Sequence, residues 1–566
     1  MLSESNPESA ALAVVHAYHA RTKHRLDRYA PGPETLDWDA QPAPFRHYQG
    51  TERTLLPLLS ELAADDPAAL AMNQPFEARS AAPGEWTLST LGVWLQVSLG
   101  LTAWKRYGPD RWALRANPSS GNLHPIEGYV LAQQLPFLPD GLYHYDPEQH
   151  ALELRAHAPR VLGREPPSLS IALTSIMWRE AWKYGERAFR YCQLDAGHAL
   201  TALSVAANVL GAQVSEQTHV GQTALGALLG LDRDHDFARS PVPDSEREEP
   251  ELLLRVDLPG SASAGGLPVV LPAPASLTYY GVASTIDPRP MYRWPMLAEV
   301  ATATRCDSHR PTYRPREPAT ASTTATATAE PSAATLRSAR STRSVLLGRR
   351  SAQRFDSYHE LQSDDLAALL GAVMPGPAAL WQTLAAPPGI DLVLFIHRVA
   401  GLECGLYYLP RRGPHSADLR GQLSRRYTAE PSPLPGSNVP LLRLCTSEPK
   451  QLMRVARTLH CHQDIAATGC LTLGMIADLE PRLTQHATGY RDLLREAGLI
   501  GQLLYLQAEA RGLRGTGIGC YFDDAVHDLL GLRGARHQSL YHFTLGRALD
   551  DSRLETEPAY DERSRT

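Results

Sequence analysis

Apolar positions recur along the chain with a helical period in some stretches and in alternation in others, and their order predicts an α+β protein. Leu12, Val15, His16, Tyr18 and His19 keep near-helical spacing within residues 8–28, and a Pro/Gly-rich tract at 29–50 is expected to wrap over the fold. Ser89 and Thr90 precede Leu91, Val93, Trp94, Val97 and Leu101, which predicts an N-capped amphipathic helix feeding a loop at 115–125. Strands are expected at 126–132, around 141–145, at 168–174 and at 251–256, with a long helix at 188–210. The longest apolar segment, about 199–214, is shorter than the ~20 residues of a bilayer span and contains Thr201, Ser204 and Asn208, so it reads as a buried helix.

Between about 310 and 340 the composition thins to Pro, Thr, Ala, Ser and Arg, which marks a disordered linker. The chain thus divides into an N-terminal helix and wrapping tract (1–50), a first domain (51–300), the linker (301–342), a second domain (343–550) and a polar tail (551–566). The two domains are related. Residues 190–231 align without a gap to 491–532 at an offset of 301, pairing Arg190 with Arg491, Gly197 with Gly498, Gly211 with Gly512 and the closing Leu-Leu-Gly-Leu of both. Each copy reads as a long helix ended by glycine, a loop and a short helix. Gly141-Leu-Tyr-His-Tyr145 matches Gly405-Leu-Tyr-Tyr-Leu409 at an offset of 264. Two copies in one chain predict a fused pseudo-dimer.

The stretch Arg115-Ala-Asn-Pro-Ser-Ser-Gly-Asn-Leu-His-Pro125 is a shaped loop: Pro118 and Pro125 fix φ, Gly121 permits φ > 0, and Ser119, Ser120 and Asn122 offer short polar side chains. It reads either as a tight turn ahead of a strand or as a binding loop for a flat polar ligand. Its counterpart in the second copy, Gln382-Thr-Leu-Ala-Ala386, has none of that polar shape. Conversely, Arg349-Arg-Ser-Ala-Gln-Arg-Phe355 opens the second domain where the first offers only Arg21-Thr-Lys-His-Arg25. After Gly512 comes Leu-Arg-Gly-Thr-Gly-Ile-Gly519, where the first copy has Ala-Gln-Val-Ser-Glu-Gln-Thr218. Such complementary loss predicts one working site assembled from both domains.

Formal charge is −6, from 55 basic and 61 acidic residues that are interspersed, so neither nucleic acid nor an anionic membrane is expected as the main partner. Small-molecule or peptide chemistry is expected instead. Seven cysteines without a CxxC pair argue against a disulfide framework and common zinc spacings, and for a reducing cytoplasm. The N-terminus lacks the features of a secretory signal. No metal site is expected, since there is no HExxH and His460-Cys-His462 lacks a second ligand pair; no GxGxxG follows a strand to indicate a nicotinamide-binding Rossmann domain.

Taken together, the Arg-Arg-Ser start of the second domain, read as a helix start, the Pro-Ser-Ser-Gly-Asn loop before a strand, and the long helix ending in Gly-Leu-Arg-Gly-Thr-Gly-Ile-Gly-Cys520 resemble the FMN-dependent nitroreductase superfamily. In that family two α+β subunits form an intertwined dimer with FMN at the interface. A narrower resemblance comes from Trp182-Lys-Tyr-Gly-Glu-Arg-Ala-Phe-Arg-Tyr191 followed by Asp195-Ala-Gly-His198. It is similar to the SagB/ThcOx branch, which includes azoline dehydrogenases of ribosomal peptide maturation. Thr484 and Gln485 stand opposite Lys183 and Tyr184 in the second copy, so the pair occurs once.

The resemblance implies two tandem nitroreductase-like domains with FMN as cofactor. Arg349, Arg350 and Ser351 would grip its phosphate or ribityl chain, helped by a helix N-terminus, with Arg354 replacing a second basic residue or that contact being absent. Pro118, Ser119, Ser120 and Asn122 would come across the interface, with Arg115 close by. Gly517, Gly519 and Cys520 would run beside the flavin ring, where any Cβ would hold the backbone away; Cys520 itself is expected to be a small buried residue and not a redox thiol. Lys183 and Tyr184 are the implied acid/base pair, the alternative being a surface lysine beside a core tyrosine. Arg187 and Arg190 read as solvated or structural, the alternative being to bind a substrate carboxylate, and His198 reads as a core histidine. The implied activity is dehydrogenation of an azoline-like or peptide- or amino-acid-derived substrate. An NAD(P)H-dependent reductase of nitro compounds or quinones, and a flavin-less scaffold in a peptide-modifying complex, are the alternatives.

Overall fold

The computed structural model describes residues 7–77, 85–157, 167–259, 269–307, 339–376 and 379–561, so the centre of the expected linker and the last residues of the expected tail lie outside it. Each half carries one antiparallel sheet. In the first, the strands run in the order Thr278–Tyr279, Ala151–His157, Gly141–Asp146, Ile126–Gln133, Ser168–Ser175, Glu249–Asp257, Gln213–Glu216, with Arg53–Leu55 added to Ala151–His157. The second runs Glu430–Pro431, Leu442–Thr446, Gly405–Leu409, Ile390–Ile396, Leu471–Asp478, His537–Gly546, Arg514–Ile518. Six strands of each sheet agree in chain order and position, so the sequence repeat is a repeat of topology; the edge strands Thr278–Tyr279 and Glu430–Pro431 come from different places in the two halves. The central strands are covered on both faces; Ile390–Ile396 is buried at every position and apolar except for Asp391, which Arg412 and Ser416 bind.

Two long helices, Ala188–Val209 and Gly489–Ala510, join the halves. They cross where the repeat places Gly197 opposite Gly498. A Cβ on Gly197 would collide with the carbonyl of Arg495, and one on Gly498 with the carbonyl of Leu194. Around this crossing the halves exchange arginines. Arg491 donates to Glu249 and Glu251, each at 2.7 Å, and Arg495 donates to Glu251 at 2.7 Å. From the first half, Arg190 donates to Asp523 at 3.0 Å and Arg187 at 3.3 Å, which makes both structural, as expected. Each buried charge is thereby paired, and removing one partner would leave the other stranded.

A polar cluster inside the first sheet is also satisfied internally. His144 bridges Glu127 (3.1 Å) and Glu153 (3.0 Å), and Arg179 bonds Glu127 at 2.5 Å. Burial alone would push His144 down, but its hydrogen bonds to the two glutamates overcome this and raise it to about 9.

Several local expectations need correction. The first helix, Pro7–Arg21, stops short of 28 because Lys23–Arg28 is drawn to the second half: His24 pairs with Phe522, and Asp523 donates its amide to the His24 carbonyl at 3.0 Å. Thr87, not Ser89, caps the helix Leu88–Ser98, in a capping box with Thr90. That helix does not feed the 115–125 loop directly. A hairpin, Leu101–Tyr107 and Asp110–Arg115, intervenes, and Glu555–Glu557 of the expected polar tail adds to it as a third strand. Tyr560 fixes this end by accepting the Leu101 amide at 2.8 Å and donating to Pro147 O at 2.9 Å. The ends of the expected linker are helical as well, in Pro295–Ala303 and in Thr342–Gly348, which Ser341 caps. Among the described residues no helix is long and apolar enough to cross a membrane.

Candidate functional site

A cavity of about 800 Å³ opens where the two halves meet, and its walls come from both. The first half contributes Pro118, Ser119, Ser120, Gly121 and Asn122. Gly121 takes φ +60°, and a Cβ there would lie 2.6 Å from the Tyr184 hydroxyl, so glycine is required on both counts. The loop is pinned from behind. Ser119 Oγ accepts the His124 amide at 2.8 Å and donates to Glu180 at 3.3 Å. Ser120 donates through its amide (3.3 Å) and its hydroxyl (3.4 Å) to Asp195, while Asn122 Nδ2 donates to Ala113 O at 2.9 Å.

From the second half come Arg349, Arg350, Ser351, Gly517, Gly519 and Cys520. Two expectations about their setting change. Arg349 follows the end of the helix Thr342–Gly348, so no helix N-terminus aids the Arg-Arg-Ser segment; Arg350 instead donates to Leu347 O at 2.9 Å, as a cation at a helix C-terminus does. The glycine-rich segment, expected as a loop, is the edge strand Arg514–Ile518. Its glycines make room for protein side chains, since a Cβ on Gly517 would strike the Tyr541 hydroxyl and one on Gly519 the Tyr191 ring.

Arg349 crosses to the first half, donating through Nε to Ala116 O (2.8 Å) and through Nη2 to Arg115 O (3.0 Å). Its Nη1 is buried and has no partner. Ser351 Oγ lies 2.9 Å from the Tyr505 hydroxyl, which also accepts the Gly517 amide at 2.8 Å. Arg350 is pushed down to about 10 by burial and by its neighbours Arg349 and Arg514. Several cations converge on one wall and one buried N–H is unspent, a donor set that fits an anionic group such as a phosphate.

Arg115 and Arg354 do not line the cavity. Arg115 lies behind the loop, donating to Ile126 O (3.1 Å) and Pro44 O (2.8 Å), and meets Arg349 only through its carbonyl. Arg354 is exposed and takes part through its own carbonyl, which accepts the Leu549 amide at 2.9 Å. Tyr184 is on the wall and burial pushes its hydroxyl well up; Lys183 is not, its ammonium resting 5.4 Å from the Trp38 ring and 5.5 Å from the Tyr184 ring. His198 is a buried, hydrogen-bonded histidine but does reach the wall, with Nδ1 3.2 Å from Gln502 and Nε2 3.2 Å from the Tyr541 hydroxyl. Cys520 is half-buried, not fully buried as expected, and hydrogen bonds with Cys461 and His24 pull its thiol down.

Sequence reasoning gave Asp195 no role beyond the motif that contains it, and missed Tyr505, Tyr541 and the wall made by Asp550, Asp551, Ser552, Leu554 and Thr556 of the last segment. The Gly519–Tyr191 and Gly517–Tyr541 contacts link positions far apart in the chain, and no local signal marks them. Among the described residues His47, Asp146 and Glu153 bring possible metal-ligand atoms together. Those carboxylates already bind the Tyr48, Glu148 and Gln149 amides, Arg53 and His144.

With this geometry in hand, comparison with known proteins is informative. Residues 446–547 match the model of the nitroreductase family. Over 166 residues the chain is 30% identical to the trifolitoxin-processing protein TfxB of Rhizobium leguminosarum bv. trifolii, covering 26% of this chain and 44% of the relative. It is 26% identical over 135 residues to a protein of Methanocaldococcus jannaschii named as a nitroreductase, covering 22% of this chain and 65% of that one. The chain thus spans less than two thirds of either relative. A crystal structure from Anabaena variabilis, also named as a nitroreductase, superposes with a TM-score of 0.64 at 22% identity, covering 95% of this chain and 99% of the other. The fold is therefore that of two nitroreductase-like α+β domains.

Proposed function

We propose that this protein is an FMN-dependent oxidoreductase whose two domains form an intramolecular pseudo-dimer with one complete site, acting as a SagB-type dehydrogenase on an azoline-like or peptide-derived substrate. The observation that carries the reading is the buried, unpartnered Nη1 of Arg349 in a cavity walled by both halves. Arg349 and Arg350 would hold the phosphate, Ser351 and the 118–122 loop the ribityl chain and the ring edge, and the 514–520 segment would flank the ring. Bound there, the flavin would supply two-electron chemistry, exchanging a hydride with the substrate while a proton moves separately.

The place related to this site by the repeat is closed. Glu216 donates its amide to Thr383 O at 3.1 Å, and the Ala385 amide donates to Glu216 Oε2 at 3.2 Å, so the strand and loop that face each other there touch directly. The basic residues of the 21–25 segment are spent as well: Arg21 binds Glu186, and Lys23 binds Asp524 at 2.8 Å. Tyr184, held protonated by burial, can donate a hydrogen bond at the wall. Burial lowers Lys183, which acts on the site through the Tyr184 ring.

The similarity to a protein named for trifolitoxin processing supports a peptide-derived substrate. A second reading, NAD(P)H-dependent reduction of nitro compounds or quinones, draws on the name of the Methanocaldococcus relative. Anaerobic mixing of the oxidised flavoprotein with an azoline peptide should bleach its visible band. Bleaching by NAD(P)H alone would install the reductase reading instead, and a colourless protein that takes up no added FMN would leave a scaffold.

A further inference from the structure

Because Lys183 stands off the cavity wall, some group on that wall must exchange the proton of the reaction. We propose that Glu180 and Asp195 form a buried carboxyl pair that carries a single proton, with Asp195 as the base that takes the substrate's proton through Ser120; this rests on the dehydrogenase reading above. Both carboxyl groups are buried, Glu180 at 0% exposure and Asp195 at 2%, and among the described residues neither lies within ion-pair distance of a cation. Two uncompensated negative charges cannot share such a place at neutral pH, so one carboxyl keeps a proton.

The hydrogen bonds decide which one. Asp195 accepts from the Ser120 amide and the Ser120 hydroxyl, a donor set that stabilises a carboxylate. Glu180 accepts only the Ser119 hydroxyl, and its Oε2 has no partner. The proton therefore rests on Glu180 and the charge on Asp195, in accord with Glu180 being pushed well up by burial and then by the Asp195 charge. Burial also raises Asp195, against the pull of the two serines, which brings it toward the range where a base works near neutral pH.

The histidines and tyrosines on the wall are poor candidates, and the Cys520 thiol is engaged with Cys461 and His24. His124 and His198 are held neutral by burial, and both His198 nitrogens are engaged. Tyr184, Tyr191, Tyr505 and Tyr541 are all raised, chiefly by burial. Cys192, on the same helix as Asp195, is raised by burial and by both carboxyls. Lys183 is the cation whose field reaches Glu180.

The step balances without a further reactant. The substrate X–H bond breaks as its proton passes to Ser120 Oγ, while the original Ser120 proton moves along its existing 3.4 Å hydrogen bond to Asp195 Oδ1. The pair goes from one proton to two, and the reverse transfer returns it.

Infrared spectroscopy of the protein at neutral pH tests the pair without any turnover. A protonated-carboxyl stretch should be present in the wild type, vanish in Glu180→Gln and persist in Asp195→Asn; its absence from the wild type, or its survival in Glu180→Gln, overturns the pair. The role is tested separately. Asp195→Asn should retain FMN and KM but lose about 10²–10⁴-fold in kcat, and Ser120→Ala should lose kcat with the infrared band intact. Wild-type kcat and an unchanged pH profile in Asp195→Asn would overturn the base assignment. If the azoline substrate fails while the band behaves as described, it is the dehydrogenase reading that falls.

Discussion

Gly197 and Gly498 stand at the same place in the repeat, 301 positions apart, and bring the two long helices together backbone against backbone. An alanine at either position would place its methyl on a carbonyl of the facing helix, which cannot move aside as a side chain would. Gly197→Ala and Gly498→Ala should each destabilise the chain by about 1–3 kcal/mol, as overpacking does. In the double variant the two costs should sum to more than is measured, because one helix displacement relieves both. Chemical denaturation of the four proteins checks this, and additive costs would show that the helices do not share one contact.

Much of the fold is legible in sequence because the repeat compares the chain with itself. The 301 offset finds the long helices, the strands at Ile126–Gln133 and Glu249–Asp257 follow from their apolar runs, and the strand at Ser168–Ser175 follows from alternation. The hairpin Leu101–Tyr107 and Asp110–Arg115 escapes notice because Arg106, Tyr107, Asp110 and Arg111 face solvent and break the apolar pattern. At the site, Pro118 to Asn122 and Arg349 to Ser351 announce themselves by composition. Asp195 does not. It sits in a long apolar helix, and only the folded loop above it gives it a partner.

Arg349 should be the most sensitive side chain for flavin retention. Replacing it with Ala removes a charge-assisted bond to the ligand and also the bonds to Ala116 O and Arg115 O that shape the loop. Loss of about 1.5–3 kcal/mol, roughly 10–100-fold in Kd for FMN, is expected from the ligand bond alone. Arg354→Ala, changed outside the cavity, should leave Kd where it was. Fluorescence titration of the apoprotein with FMN measures both.

Flavin content should come to one FMN per chain. The pairing of Glu216 with Thr383 and Ala385 fills the place a second molecule would need. Absorbance of released flavin against protein concentration gives the ratio, and two equivalents would refute the single composite site.

Stability should fall in mild alkali through His144. Its folded pKa, about 9, lies above the ordinary value of 6.5, so its contribution is complete below pH 6.5 and disappears as pH rises through 9. The difference corresponds to about 3 kcal/mol. Unfolding free energies measured between pH 6 and 10 should trace this loss, and His144→Gln should flatten the curve over that window.

The closed place at Glu216 and Thr383 has a consequence for how this protein can change. In a dimer of identical chains every substitution is written twice, so a residue that improves one pocket alters its twin to the same degree. Here each position of the repeat is encoded separately. Tyr184, Ser351 and Thr556 line one pocket alone, and the opposite pole of the molecule is free to carry residues chosen only for cohesion.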